Sequence, residues 1–488
     1  MATNKTKQLK GLFSDSVIYG ISGIISSFIG IFLIPIYTRI FDPKDYGVIG
    51  LLGTTFAIVY MLVVFNMDNT MTVWYWKKNE DIEIKRTLNT WLVFLAATSF
   101  VAGIQFILFA GFWSKLILQS SEYAILLKLF GANVCMSAFQ KVVNIWYRMK
   151  RKPIHAVTYS LVIVLLTIGL NILLIVEWRW GLKGSYTAQV IASFVGFIAC
   201  FVILRHWINL KYFSWARLKE MLIFSTPLLP ASLLFWVMNS TSTYFLNFYS
   251  SKAEVGLFQI GSAVAGVLNL LIWAFMQAWS PFAMSISKND DAPQIYSLVL
   301  ELYCIIGFLG VFLLGLFAED ILRIFTNEKY LGSKNVISIL ALNVLLLGIP
   351  QILSIANAIA GSSFSYAKAI VVGAIISVIL YNVLIPIWGK EGAALSILAG
   401  NLVVPFYHAR MVQKLYPIPY NFKRILLGCV IISAFFLLGF SVVNLTGKYR
   451  VDFVVRFFIA LTGIASLLFF YRKVVSWKTI ARRLRSQS

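Results

Sequence analysis

Apolar runs of about 20 residues, separated by short polar turns, recur along nearly the whole chain. Each run is long enough to cross a hydrocarbon layer about 30 Å thick as a helix. The pattern predicts an all-α polytopic membrane protein with about 14 transmembrane helices. We place the spans roughly at 14–37, 47–67, 90–112, 123–146, 156–176, 184–204, 221–248, 255–280, 295–317, 335–359, 369–388, 392–411, 425–445 and 453–471.

Two short sequence marks each occur twice, and the two copies are separated by nearly the same number of residues in both cases. Asp45-Tyr46-Gly47 is echoed by Glu254-Val255-Gly256, at an offset of 209 residues. A segment that runs from Asn171 to Gly181-x-x-Gly184 is echoed by one from Asn382 to Gly389-x-x-Gly392, with glycines 208 residues apart. Each mark alone is typical of a turn, because glycine permits positive φ and close helix approach. Together they indicate a duplicated unit.

The duplication predicts the domain organisation. Spans one to six (1–204) and seven to twelve (221–411) form two six-helix lobes. Because each lobe has an even number of spans, both lobes begin on the same side of the membrane and are parallel repeats. The basic and aromatic linker 205–220 is either an amphipathic segment at the cytoplasmic headgroups or a plain loop with snorkelling side chains. Residues 412–488 hold a last helix pair, expected to face lipid, and a basic tail.

Composition and charge agree with a membrane protein. Hydrophobic residues make up 59% of the chain and charged residues 12%, about half the usual charged share. With the N-terminus inside, the inner segments hold 27 Lys and Arg and the outer loops 12, which predicts two cytoplasmic termini. The net charge of +23 is then scattered at lipid headgroups, which does not favour nucleic acid as a partner.

The chemistry-bearing residues favour no enzyme. Four cysteines lie in apolar spans, three histidines lie near span ends, and none of them forms a metal-ligand spacing. The connections between spans are short, which argues against an external catalytic loop. We therefore expect no catalytic residue, no metal and no cofactor.

The marks resemble a known family. Arg39-Ile-Phe-Asp-Pro-Lys-Asp45-Tyr46-Gly47 after Ile34-Pro35, together with the Gly-x-x-Gly end of each half, resembles Wzx-type flippases of the multidrug/oligosaccharidyl-lipid/polysaccharide flippase superfamily. The second half departs from this pattern, with Phe248-Tyr249-Ser250 where the first has Arg39-Ile40-Phe41, so a role of Arg39 is not duplicated.

The resemblance implies a V-shaped pair of lobes around a cavity, alternating access and, in several members, coupling to an ion gradient. It implies a monomer in a bacterial inner membrane. The implied cargo is a polyprenyl-diphosphate-linked oligosaccharide for O-antigen, lipopolysaccharide, capsule or exopolysaccharide, and a polysaccharide polymerase is a possible partner beside the membrane lipids.

Span four carries a polar stripe within about 100° of arc. Its members are Asn133, Ser137, Gln140, Lys141, Asn144 and Arg148. Such a stripe must face protein or water. It is either a cationic wall that binds the diphosphate and first sugars, or a polar packing interface with Lys141 and Arg148 snorkelling to the surface.

Spans seven and ten carry neutral polar faces. In span seven these residues are Ser225, Ser232, Asn239, Thr243 and Asn247, and in span ten Asn343, Gln351, Ser354 and Asn357. Pro227 and Pro230 interrupt span seven, which predicts either a moving gate or a static kink. Because span ten, the repeat of span four, has no cation, we expect the anionic end of the cargo in the first lobe.

Two acids are candidates for ion coupling. Asp68 lies at the inner end of span two and Glu301 about two turns into span nine. Each could pair with a cation in the cavity, or carry a coupling proton if burial raises its pKa. The structural alternatives are an interfacial helix end for Asp68 and a salt bridge or interhelical hydrogen bond for Glu301. Asp15 and Tyr19 are weaker candidates, and Arg39 with Asp42 or Asp45 is expected to form a local salt bridge.

Three functions remain open from the residues. A lipid-linked oligosaccharide flippase is favoured by the spread of amides and cations, which suits a large anionic cargo. A drug antiporter on the same fold needs a compact site dominated by one or two acids. A glycan polymerase or ligase needs a larger outer loop with catalytic groups than residues 318–334 supply.

Overall fold

A computed structural model describes residues 33–77, 80–360, 364–442 and 449–472. Within these ranges every regular element is a helix, and 12 helical stretches are long and apolar enough to cross a membrane. One of them, Tyr366–Lys414, spans two predicted helices. The stretches therefore account for thirteen of the fourteen predicted spans. The first predicted span lies mostly, and Asp15 and Tyr19 lie wholly, outside the described residues.

The chain divides into two compact units, Met1–Gly256 and Leu257–Ser488. The first contains α1 to α10 and the start of α11: Pro43–Val64, Met67–Lys77, Asp81–Leu108, Ala110–Leu118, Ala124–Met149, Pro153–Asn171, Gly181–Leu204, Trp215–Ser225, Leu229–Ser240, Ser242–Tyr249 and Lys252–Ala265. The second contains the rest of α11 and α12 to α18: Leu268–Ser285, Ala292–Leu316, Ala318–Phe325, Lys334–Ala360, Phe364–Leu415, Phe422–Val442 and Tyr449–Phe470.

The duplicated register is confirmed by the order of the helices. A long helix is followed by a short one in both halves, α3 by α4 and α13 by α14, and the short helices begin at Ala110 and Ala318, 208 residues apart. Gly181 and Gly389 both have positive φ, at 58° and 53°. Side chains disfavour this conformation, so glycine is needed where the chain turns between the last two helices of each half.

The second glycine of each mark allows close helix approach, as the sequence predicts. A Cβ on Gly184 would lie 3.0 Å from the carbonyl oxygen of Leu174, and one on Gly392 would overlap that of Leu384. The returning helix therefore starts against the end of the preceding one.

The predicted break in span seven is present. α8 ends at Ser225, a 3-10 turn covers Thr226–Leu228, and α9 begins at Leu229. Pro227 cannot donate a backbone hydrogen bond and clashes with the preceding turn, so the helix breaks there. Whether this break moves as a gate stays a prediction.

The linker 205–220 is bound to the start of α3. The Asn89 side chain donates to the carbonyl of Trp207 at 2.9 Å and accepts from the backbone N–H of Asn209 at 2.8 Å. The side chain of Arg217, 5% exposed, makes an ion pair with Glu83. The linker is thus part of the first compact unit, whose boundary at Gly256 lies inside α11. The lobe boundaries at 204 and 221 remain a prediction.

The last helix exposes apolar side chains, among them Phe458 at 61%, but it also buries a charge that the sequence reading did not use. Arg456 is 2% exposed and pairs with Asp320 of α14 at 2.9 Å. The expectation that this helix simply faces lipid is therefore corrected, because an ion pair joins it to α14 within the second unit.

Candidate functional site

An ion pair joins two of the predicted site residues in the first unit. The ammonium of Lys141 lies 2.9 Å from a carboxylate oxygen of Asp68, with the side chains 37% and 13% exposed. α1 ends at Val64, Phe65 and Asn66 follow with φ of 52° and 54°, and α2 then starts at Met67. Asp68 lies in the first turn of α2, where the helix dipole stabilises a carboxylate.

The stripe on α5 has two parts. Asn133, 6% exposed, accepts a hydrogen bond from Ser193, and Asn144 accepts one from Ser160 at 2.9 Å. These two amides hold α5 against α7 and α6, as in the packing interpretation. The rest of the stripe is half-buried or exposed: Ser137, Gln140, Lys141 and Arg148.

The exposed cations lie on the same helix face. Lys141 and Arg148 are seven residues apart, which is two turns or about 10 Å along an α-helix. Arg148 lies near the end of α5, and Lys141 is held from α2 by Asp68. The arrangement presents two positive groups. An anionic ligand that binds Lys141 has to compete with Asp68 for it. The packing interface is therefore present on this helix, and the role of the two cations in binding stays a prediction.

In span seven the predicted binding residues are mostly packed within the first unit. Thr243 is 2% exposed and Asn247 6%, and the Asn247 amide donates to the carbonyl of Ile117 at 3.3 Å. Asn239 is half-buried and donates to its own helix at Phe235, 3.0 Å away. Tyr244 also bonds Thr55 of α1 at 2.8 Å. This packing leaves Asn239 the most accessible of the three.

The predicted polar face on α15 is divided in the second unit. Asn343 is 6% exposed, whereas Gln351 is exposed and donates only weakly to the carbonyl of Leu347 at 3.5 Å. Ser354 lies 3.3 Å from the ring nitrogen of the fully buried His408. Gln351 is thus the accessible member, and Asn343 lies in the helix packing.

Glu301 has a cationic partner that the sequence reading missed. Its carboxylate, 6% exposed, lies 3.1 Å from the guanidinium of Arg424, which is 39% exposed. Arg424 lies in the first turn of α17. The sequence feature that could have identified it as a partner is a cation at the start of an apolar run. Glu301 therefore forms a structural salt bridge with Arg424, which was one of the alternatives for this acid.

A second missed cluster lies around the linker. Arg217 pairs with Glu83 and with Glu220, the latter at 2.7 Å, and Lys150 lies 4.3 Å from the ring centre of Trp207. The signal was a pair of acids, Glu83 and Glu220, at otherwise basic span ends. These contacts surround the end of the first unit that also carries Asp68, Lys141 and Arg148.

Within the four described ranges no group of three or more His, Cys, Asp or Glu residues could hold a metal ion. Outside the spans, burial raises the pKa of Glu319, but the hydrogen bond from Arg323 and the charges of Lys334 and Arg323 outweigh it, so the pKa is lowered overall. Glu319 lies on α14 and takes part in neither the Asp68–Lys141 nor the Glu301–Arg424 ion pair.

The helices define a polytopic membrane protein with a transporter fold. The model of the polysaccharide biosynthesis protein family matches residues 36–334, and the chain belongs to this family. It is 21% identical over 333 residues to the Lsg locus putative protein 1 of Haemophilus influenzae, a match that covers 66% of this chain and 79% of that protein.

Two solved structures show the same fold. The lipid II flippase MurJ in an inward closed conformation is 15% identical, with a TM-score of 0.71 over 94% of this chain and 100% of that one. An inward-facing multidrug resistance MATE family transporter is 14% identical, with a TM-score of 0.64 over 82% and 97%. The family match and the shared fold agree with the resemblance found in the sequence, and these two fold neighbours are by name a flippase and a transporter.

Proposed function

We propose that the chain flips a polyprenyl-diphosphate-linked oligosaccharide across a bacterial inner membrane by alternating access. The observation that carries the proposal is the pair of accessible cations, Lys141 and Arg148, on one face of α5, with Lys141 held by Asp68. Membership of the polysaccharide biosynthesis protein family supports a glycan precursor as cargo. The MurJ-like fold supports a lipid-linked one.

The diphosphate is the part of the cargo that these cations suit. A guanidinium binds phosphate oxygens bidentately and an ammonium binds them as a point charge. The diphosphate competes with Asp68 for Lys141 and wins by its greater charge. The neutral amides that remain accessible, Gln140, Asn239 and Gln351, are suited to sugar hydroxyls.

The ion pair also suggests how transport is coupled. When the diphosphate binds Lys141, Asp68 loses its cationic partner and becomes available to a coupling ion. Asp68 is therefore the first candidate for binding that ion, which has to move inward while the cargo moves outward if an inward gradient drives export. Glu301 keeps Arg424 as its partner and forms the second coupling candidate.

The direction follows from the charge of the segments. The excess of 27 over 12 Lys and Arg places both termini and the Asp68 end of the first unit in the cytoplasm. Cargo therefore enters from the cytoplasmic leaflet and leaves from the outer one. A monomer suffices for this cycle, and a polysaccharide polymerase is the partner that would take the product, whether for O-antigen, capsule or exopolysaccharide.

A drug antiporter is the second candidate, because a MATE transporter shares the fold. Such a transporter would need an acid free to bind its cationic substrate. Here both candidate acids, Asp68 and Glu301, already hold a Lys or Arg. The pairing favours the anionic cargo.

The test measures lipid-linked sugars in cells that lack the protein and carry variants. Lys141→Ala and Arg148→Ala should each cause undecorated cells and accumulated lipid-linked oligosaccharide on the cytoplasmic side, at normal protein levels. Lys128→Ala is the matched control, since Lys128 is an exposed lysine at the other end of α5 and should be silent. Full export by both Lys141→Ala and Arg148→Ala would overturn the assignment.

A further inference from the structure

The repeated Asp-Tyr-Gly and Glu-Val-Gly marks meet in space. A Cβ placed on Gly47 would overlap the carbonyl oxygen of Lys252, and one placed on Gly256 would overlap the carbonyl oxygen of Pro43. The Gly256 position would also lie 3.0 Å from the backbone nitrogen of Gly47. Pro43 and Lys252 are the first residues of α1 and α11, so the two helix starts cross in direct backbone contact.

Gly47 and Gly256 are required because they let the two helices approach closely, and not because the backbone turns there. Gly47 and Gly256 both lie inside α-helices, where any side chain fits the backbone. The reading of Asp45-Tyr46-Gly47 as part of a turn is therefore corrected: the turn lies before Pro43. Small residues let helices in membranes touch along their backbones, where weak Cα–H···O contacts form.

The contact lies at a special point of the chain, because the first compact unit ends at Gly256 and α11 continues into the second. Near it, Thr55 bonds Tyr244 and Asn247 bonds Ile117, so α10 is held to α1 and α4 at the same end of the unit. This is the end opposite to Asp68 and Lys141, since α1 runs from Gly47 to Val64 between them.

We propose that the crossing of Gly47 and Gly256 is the contact that closes the transport path at this end. The two helix starts touch while cargo is loaded at the Asp68 end, and they separate to release it. This assignment rests on the proposed alternating access, and under the proposed topology the crossing faces the outer leaflet. The contact suits a gate because the two glycines pack backbone against backbone, so that a single added methyl group would hold the helix starts apart.

The test adds one methyl group. Gly47→Ala and Gly256→Ala cannot close without displacing backbone, so both variants shift the population toward the open state. Gly53→Ala is the matched control in the same helix, where a Cβ meets nothing within 4 Å. The reporter is Thr55→Cys, at a 5% exposed position two turns from Gly47, in a full-length chain without its four native cysteines.

Labelling by a membrane-impermeant maleimide on intact cells should rise about tenfold in both alanine variants and stay unchanged in Gly53→Ala. Unchanged labelling in Gly47→Ala and Gly256→Ala would overturn the proposal, as would a rise seen only in inside-out vesicles. Labelling needs no cargo. A rise in labelling with no sugar-lipid accumulation in Lys141→Ala would keep the gate and overturn the proposed cargo instead.

A second measurement keeps the native glycines in case an alanine variant fails to fold. Lys44→Cys and Lys252→Cys place thiols on either side of the crossing, and a cleavable bifunctional reagent joins them. Export should stop when they are joined and return when the reagent is cleaved. Export that continues across the intact cross-link would overturn the gate.

Discussion

The buried ion pair between Arg456 and Asp320 gives the sharpest stability prediction. The guanidinium and the carboxylate lie 2.9 Å apart, and their side chains are 2% and 8% exposed. Two further guanidinium hydrogen bonds go to backbone carbonyls, to Leu316 at 3.4 Å and to Asp452 at 3.3 Å. Replacing Arg456 with Met keeps an unbranched side chain that fills part of the same space, and it removes all of these contacts.

The expected loss follows from the cost of an unpaired buried charge. At an effective dielectric constant of about 20, two charges 2.9 Å apart attract by about 6 kcal/mol, and desolvation of both groups offsets most of it. Removal of one partner leaves the other charge buried, which costs about 3–5 kcal/mol. For a unit of this size that corresponds to a Tm lower by about 6–20 °C.

The assay is thermal unfolding of the purified full-length protein in detergent, followed by fluorescence-detected gel filtration. Arg456→Met and Asp320→Leu should each lower the Tm, while the double variant, which buries no charge, should recover at least half of the loss. A single-variant effect of less than about 1 kcal/mol, or a double variant as unstable as the sum of the singles, would refute the reasoning.

Two further predictions concern ion pairs at opposite ends of the helices. Arg217→Ala removes one of the ion pairs of the half-buried Glu83, which keeps its pair with Arg86, and releases the linker from α3. Proteolysis within 205–220 should therefore become at least tenfold faster, whereas Lys219→Ala, at an exposed neighbour, should not change it. Equal cleavage rates would contradict the docked linker. Because the ion pairs lower the pKa of Glu319, they stabilise the folded state above the ordinary glutamate pKa of about 4.3, and this stability is lost as the pH falls through the lower, folded-state pKa. Glu319→Gln should therefore lower the Tm by an amount equivalent to at most about 1 kcal/mol at pH 7, since the partners are 39% and 41% exposed, and by progressively less as the pH falls below about 4. A Tm difference that persists unchanged at pH 3 would reject the electrostatic cause.

The membrane spans could be predicted from the sequence because a chain in lipid can adopt only a few stable structures. A span of apolar residues must satisfy its backbone internally as a helix, so length and hydropathy alone locate it. Gly181 and Gly389 were readable for a similar reason, because only a local conformation is involved. The second break of span seven, at Thr241 between α9 and α10, has no proline beside it and was missed.

The candidate site was readable in part. Helical periodicity placed Asn133, Lys141 and Arg148 on one stripe, but periodicity does not say which neighbour each residue meets. Ser193 takes Asn133 into the packing, whereas Asp68 reaches Lys141 from a separate short helix. Both partners come from elsewhere in the chain, so no local pattern could have chosen between the packing and the binding roles.

The sequence by itself determined that this protein is a bundle of membrane helices with a duplicated register, since hydropathy and repeat spacing are properties of the chain alone. Only the tertiary structure decided which charges are paired. Asp68 with Lys141, Glu301 with Arg424, and Asp320 with Arg456 are separated by 73 to 136 residues. The same holds for Gly47 and Gly256: their spacing marked the repeat, but the contact exists because two helix starts cross, and a crossing is set by packing between distant segments.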